Sequence, residues 1–394
     1  MPTPTPAATA AAPATPLSVL AALFLKLGTV AFGGPAAHIA MMEDEVVRRR
    51  GWLSRDAFLD LLGAVNLIPG PNSTELAIHI GLARAGWPGL LVAGGCFILP
   101  AALIVSALAW AYVRFGSLPA ADGLLYGVKP VVIAVVAQAL WRLGRTALRT
   151  PRLALLAPVA AAASALGVNE LAILGACALV TALAARIPGG KPAIVAPWGL
   201  VARASGGIGA LAAGAAVPVT LGGLFAVFVK IGAVLFGSGY VLLAFLRADL
   251  VHRLGWLTER QLLDAVAVGQ VTPGPVFTTA TFVGYLLAGG PGALVATAGI
   301  FLPAFVFVAL SGRLVPALRR SPTAGAALDG VNAASLALMA VVTWQLAHAA
   351  LIDLPTVLLA GLSLLLLARF RVNSAWLVLG GAVLGLAVRW WGWR

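Results

Sequence analysis

Charge is scarce in this chain of 394 residues, of which only 10% are Asp, Glu, Lys or Arg. A soluble domain carries about 25%. Acids are the scarcer sign, 13 against 26 Lys and Arg, which leaves a net charge of +13. No basic stretch is interleaved with exposed aromatics, so nucleic acid is not an expected partner. Cysteine is nearly absent. Cys96 and Cys177 lie in apolar segments without a CxxC neighbour, which excludes a disulfide framework and a metal knuckle. His38, His79, His252 and His348 show no metal-ligand spacing and read as packing or loop residues. There is no GxxxxGK[ST] loop for direct ATP use, no HExxH, and no nucleophile–base pair with family spacing. No enzyme chemistry and no cofactor is expected.

Apolar residues fill that space. They make up 61% of the chain, and the mean hydropathy is +1.00. Runs of membrane-spanning length recur from Leu17 onward. A barrel would show short alternating segments instead. The class is therefore an all-α integral membrane protein in a lipid bilayer. Its Arg and Lys read as markers of cytoplasmic loops, and part of the positive charge favours an anionic substrate. Residues 1–16, a Pro/Ala/Thr tract, read as a disordered tail. They lack the positive start and apolar core of a signal peptide.

The chain repeats itself. Pro69-Gly70-Pro71 returns as Pro273-Gly274-Pro275, 204 residues on. The same spacing relates Lys26 to Lys230, Phe32 to Phe236, Gly51-Trp52 to Gly255-Trp256, and Asp60 to Asp264. After a one-residue deletion Pro100 meets Pro303 and Trp141 meets Trp344. These residue types are rare here, so the matches point to duplication and fusion of one ancestral half. The expected units are 17–190 and 214–394, joined by a Pro- and Gly-rich linker at 191–213.

Each half follows one plan. A first span (Leu17–Ala40; Val217–Phe245) holds the lysine and ends in a glycine-rich phrase, Gly33-Gly34-Pro35 or Gly237-Ser238-Gly239. A charged stretch follows. The run Glu43 to Arg50 reads as a solvated interfacial helix. Next comes an apolar segment broken by Pro-Gly-Pro, which should stop a helix outright. In lipid such a break survives only inside protein or beside water. Residues 57–86 and 261–289 are therefore expected as re-entrant helical hairpins, a single kinked span being the alternative. With about five spans besides the hairpin, each half crosses an odd number of times, which makes the repeat inverted. Loop charge agrees, except for Arg247, Arg253 and Arg260. If each Pro-Gly-Pro segment crosses once, the repeat is parallel.

Candidate site residues follow from this plan. A lysine at a helix centre costs about 2.5–3.5 kcal/mol on insertion scales. Lys26 and Lys230 recur at equivalent positions inside apolar segments, so two lysines facing one cavity are expected to bind a divalent anion. Each Pro-Gly-Pro break (Pro69, Gly70, Pro71; Pro273, Gly274, Pro275) opens a new helix whose free N–H groups suit an oxyanion. Asn72, Ser73 and Thr74 in one half, and Thr278 and Thr279 in the other, supply polar donors there. Gly33, Gly34, Gly237 and Ser238 either let backbone amides approach a ligand or only permit close helix packing. Glu75 is a candidate for the coupling proton or for neutralising a lysine. Asn66 and Gln270 are equivalent cavity-lining candidates. Broken helices meeting near the midplane are a transporter device.

These features together resemble the chromate ion transporter family in its long, two-domain form. The carrying motifs are FGGP at Phe32–Pro35, NLIPGPNSTELAIHIG at Asn66–Gly81 and GQVTPGPVFTTATFVGY at Gly269–Tyr285. The second half reads FGSG where the first reads FGGP, so no glycine-proline role carries to Ser238-Gly239. The resemblance implies secondary export of chromate across the bacterial inner membrane, driven by membrane potential or proton gradient, and hence chromate resistance. Expected partners are chromate or a related oxyanion and the bilayer, with a homodimer left open. Three rivals stand: a sulfate or other oxyanion transporter, an integral-membrane enzyme acting on a lipid phosphate, and a passive channel.

Overall fold

A computed structural model describes residues 15–32, 34–116, 119–186, 218–236, 241–370 and 372–390. Gly33, Gly237, Ser238, the linker 191–213 and residues 1–14 lie outside the described residues. No strand occurs among those described. The first half runs α1 (Leu17–Val30), α2 (Gly34–Glu43) with a π-helical turn Asp44–Arg49, α3 (Arg55–Val65), α4 (Asn72–Phe115), α5 (Pro119–Ala147), α6 (Pro151–Ala165) and α7 (Glu170–Ala184). The second half runs α8 (Leu221–Val234), α9 (Leu242–Leu246) with a π-helical turn Arg247–Arg253, α10 (Glu259–Val271) and a 3₁₀ turn Val276–Thr278. It continues with α11 (Thr279–Arg320), α12 (Pro322–Ala350), α13 (Leu354–Leu365) and α14 (Ser374–Trp390). Both halves thus have the same element order. Among the described residues, four helices are long and apolar enough to cross a membrane, and six more apolar helices are shorter. The protein is a multi-pass helical membrane protein.

Both long helices α4 and α11 are bent double near their start. Ala85-Gly86 and Ala288-Gly289 leave helical geometry, with φ of +60° at Gly86 and +62° at Gly289. Both glycines have ψ near −150°, a region open essentially to glycine alone. The two arms then lie against each other. A Cβ on Gly81 would strike the carbonyl of Gly89, and one on Gly284 would strike that of Gly292. Small residues let backbones approach in a medium that gives no hydrophobic drive.

The first re-entrant hairpin starts and ends at one face. Arg84, at the end of the short arm of α4, donates from Nη1 to the Trp52 carbonyl at 3.1 Å, just before α3. The Thr15 amide donates to the Arg84 carbonyl at 3.1 Å, so α1 starts there too. Residues 57–86 therefore enter and return, as expected from the prolines. From Gly86 the long arm of α4 crosses the molecule. At its far end the Tyr112 hydroxyl donates to Asp264 Oδ2 at 2.8 Å. Asp264 lies early in α10, the counterpart of α3. The second half therefore enters from the opposite face, and the repeat is inverted. Arg260 and Asp122 pair at that same far face.

The first expected span, Leu17–Ala40, is two helices. α1 stops at Val30, and the Trp52 amide bonds back to the Val46 carbonyl at 2.8 Å. The segment after α1 thus returns to the face where α1 began. Gly34 has φ +76°, and Pro35 suits the first turn of a new helix rather than the continuation of an old one. Each half therefore opens with two re-entrant pairs, and the inversion rests on the cross-half contacts rather than on counting crossings.

A broken-helix site at the meeting of the two halves

The Pro-Gly-Pro tips meet the opposite half. The Gly70 amide donates to the Leu235 carbonyl at 2.8 Å, and the Gly274 amide donates to the Ala31 carbonyl at 3.0 Å. Leu235 and Ala31 end α8 and α1, whose last carbonyls have no partner within their own helix. Both pairs keep the spacing of 204, so one contact is made twice about a pseudo-two-fold axis. Gly70 has φ +139° and Gly274 φ +87°. Both prolines of each tip fall outside helix: Pro71 is the N-cap of α4, and Pro275 precedes the 3₁₀ turn.

Around these tips the two halves differ. Thr278 and Thr279 spend their hydroxyls on the carbonyls of Pro275 and Val276, each at 2.8 Å. Ser73 Oγ lies 3.2 Å from His38 Nδ1, while His38 Nε2 lies 3.0 Å from the Ala31 carbonyl that also receives Gly274. Thr74 Oγ1 is buried without a partner. Glu75 is 0% exposed, and neither carboxyl oxygen has a partner. Its carboxyl packs against Gly70, where an added Cβ would strike Oε1. Asn72 Nδ2 donates to Asn66 Oδ1 at 2.8 Å. Gln270 is buried beside the second break.

Neither lysine is a free cation. Lys26 Nζ lies 2.7 Å from Glu45 Oε1, and Lys230 Nζ 2.6 Å from Asp249 Oδ1. Glu45 and Asp249 are themselves 204 residues apart, so the ion pair is duplicated with the fold. The π-helical turns place these acids, and Arg50 and Arg253 flank them at 3.3 and 2.8 Å. Glu45 is thus buried within the run expected to be solvated. The hydrogen bond from Lys26, with a smaller contribution from Arg50, holds its carboxyl below the ordinary range against the opposing cost of burial. That contribution is present above the ordinary carboxylate pKa and is lost as pH falls through the lowered one. The two pairs sit toward opposite faces. With the Lys26 side chain 53% exposed, Lys26→Gln is expected to cost less than about 1 kcal/mol of stability. Unfolding titration in detergent measures this, and a loss several times larger would show that the pair is effectively buried.

Of the cavities among the described residues, three have markedly polar walls. One of about 380 Å³ lies between the halves, lined by Asn66 and Asn72 of the first tip, Arg149, and Asp329, Asn332 and Ser335 of α12. A second, of about 520 Å³, is lined at the far face by Tyr126, Lys129, Glu259 and Arg260. At a spacing of 203, Asp329 matches Tyr126, Asn332 matches Lys129, and Arg149 matches Ile352. The two cavities are counterparts with different chemistry. The third, of about 810 Å³, holds Phe32, Gln138, Arg142 and Arg145. Neither Lys26 nor Lys230 lines any of the three. Beside the second cavity, Lys129 Nζ lies 2.9 Å from Asp264 Oδ1, and Asp264 is fully buried.

The family model described as "Chromate transporter" matches this chain twice, over residues 18–183 and 222–386. The chain belongs to the chromate transporter family. It is 36% identical over 382 residues to a chromate transport protein of Cupriavidus metallidurans, covering 95% of this chain and 94% of the relative. A probable chromate transport protein of Synechococcus elongatus is 34% identical, covering 90% of each chain. A chromate transport protein of Pseudomonas aeruginosa is 33% identical, covering 94% of this chain and 92% of the relative. No solved structure matches the chain. Membership makes this a transporter rather than an enzyme, and the duplicated family match follows the two structural halves.

Lys129, Asp264, His38, Arg149, Asn332 and Ser335 were not singled out from sequence. Lys129 carried the same signal as Lys26, a lysine inside an apolar segment. Asp264 was marked only as a repeat match. Arg149 read as a loop charge, and nothing in the order of residues places α12 beside the first tip.

Proposed function

We propose that the protein is a secondary transporter that exports chromate across the bacterial inner membrane and so confers chromate resistance. Its similarity to chromate transport proteins supports the substrate. The observation that carries the mechanism is the reciprocal bonding of the two Pro-Gly-Pro tips to the opposite halves. Inverted halves hinged at such a centre rock to expose one cavity and then its counterpart. The face bearing Arg84, Arg142, Arg145 and Arg149 is cytoplasmic in this reading. Asn66, Asn72 and the amides around Pro71 face the anion. Lys26 and Lys230 hold the re-entrant pairs through Glu45 and Asp249 and add positive potential.

Glu75 carries the coupling proton in this reading. Ionised in its present position it would be an uncompensated buried charge, so its uptake and release of a proton is tied to rearrangement of the tip. Glu75→Gln is expected to retain anion binding while gradient-driven accumulation falls at least tenfold. Comparing equilibrium binding with uptake checks this, and equal losses in both would remove the coupling role.

The function itself is tested in inside-out vesicles carrying a pH gradient, with radiolabelled chromate and excess sulfate. Saturable uptake that collapses with the gradient and resists sulfate is the expected result. Suppression by sulfate would make sulfate the substrate. Absence of flux with intact protein would overturn the reading.

A further inference from the structure

We propose that the cavity between the first tip and α12 is the oxyanion site of the state shown here, with Arg149 as its cation. This rests on the transport reading above. Three independent features converge on the cavity. Asn72 opens α4, whose first amides and dipole end favour negative charge. Ser335 is 2% exposed, its hydroxyl has no hydrogen-bond partner, and it lines the cavity. A buried hydroxyl without a partner normally finds one. A bound oxygen supplies the acceptor that this donor lacks. Arg149 lines the same wall, and among the described residues it forms no ion pair with an acid. Its planar fork suits a tetrahedral oxyanion.

The volume of about 380 Å³ lies within the roughly 300–1,000 Å³ of small-molecule sites. Asn66, Asn72 and Asn332 offer amide donors from three positions. Because α12 and the tip belong to different halves, an anion held here touches both, and its arrival is felt by the hinge.

Asp329 lies on the same wall as Arg149. Its negative charge opposes a dianion and offsets the arginine. The counterpart cavity has Tyr126 at this position, so this repulsion belongs to one side of the transport cycle.

The test is equilibrium binding of chromate and of sulfate to the purified full chain in detergent, followed by calorimetry at pH 7.5. Arg149→Gln is expected to weaken binding at least tenfold and Ser335→Ala several-fold. Asp329→Asn, which removes a negative charge from the same wall, is expected to tighten binding. Arg142→Gln, in the separate 810 Å³ cavity, serves as the control for general loss of positive charge. Wild-type affinity in Arg149→Gln and Ser335→Ala, with chromate uptake intact in the wild type, would overturn the site and leave the transport reading standing. Equal weakening by Arg142→Gln would also overturn it. Absence of both binding and uptake in the wild type would remove the transport reading together with the site.

Discussion

Lys129→Met is expected to destabilise the protein by about 3–5 kcal/mol, and adding Asp264→Asn is expected to return most of that loss. Asp264 is 0% exposed, and among the described residues its partners are the Lys129 ammonium at 2.9 Å and the Tyr112 hydroxyl at 2.8 Å. Removing the lysine leaves a carboxylate in a site without water. The asparagine variant removes that charge and can still accept from Tyr112. The three residues come from α5, α10 and α4, so the network ties the first half to the second at one face only. At the equivalent positions of the other face the sequence has Asn332 for Lys129 and Val315 for Tyr112, so this lock has no counterpart built from the same residues. Unfolding titrations of the two single variants and the double variant check the cycle. Additive losses would show that lysine and aspartate do not act as a pair.

Much of the architecture was legible because breaks and rare residues leave marks that composition cannot hide. The proline pairs announced the re-entrant tips, and the expected hairpin limits, residues 86 and 289, fall on the glycines where α4 and α11 bend. The duplication was visible in Lys, Trp, Asp and Pro. Direction of travel was not. Leu17–Ala40 has the length and hydropathy of a crossing, yet Gly34 and Pro35 turn it back, and hydropathy is blind to a reversal. Partners were also hidden. Lys26 and Glu45 are 19 residues apart, a separation that fits no helical period. They meet because α1 and the following segment run in opposite directions. The cavity wall was the least legible part, since Ser335 looks like any small residue of a packed helix until its neighbours are known.

Gly274→Ala is expected to damage both folding and transport. Gly274 has φ +87°, and an added Cβ would lie 2.8 Å from the Ala101 Cβ and 3.0 Å from the Gly28 carbonyl oxygen. The left-handed conformation alone costs an L-residue about 1–2 kcal/mol, and forcing a methyl into packed backbone adds about 1–3 kcal/mol. Gly255→Ala separates the two contributions, because Gly255 has φ +63° with nothing within 4 Å. It should lose only the conformational part and keep transport. Gly274→Ala should lose more stability in the same titration and should also abolish chromate uptake, because the clash pushes apart α1 and the tip that bonds to Ala31. If both variants lose stability equally and both transport, the tip is not closely held, and the reciprocal bonds at Gly70 and Gly274 cannot be the hinge. If Gly274→Ala folds well but does not transport, the contact matters for movement more than for folding, as expected of a joint that each half makes with the other.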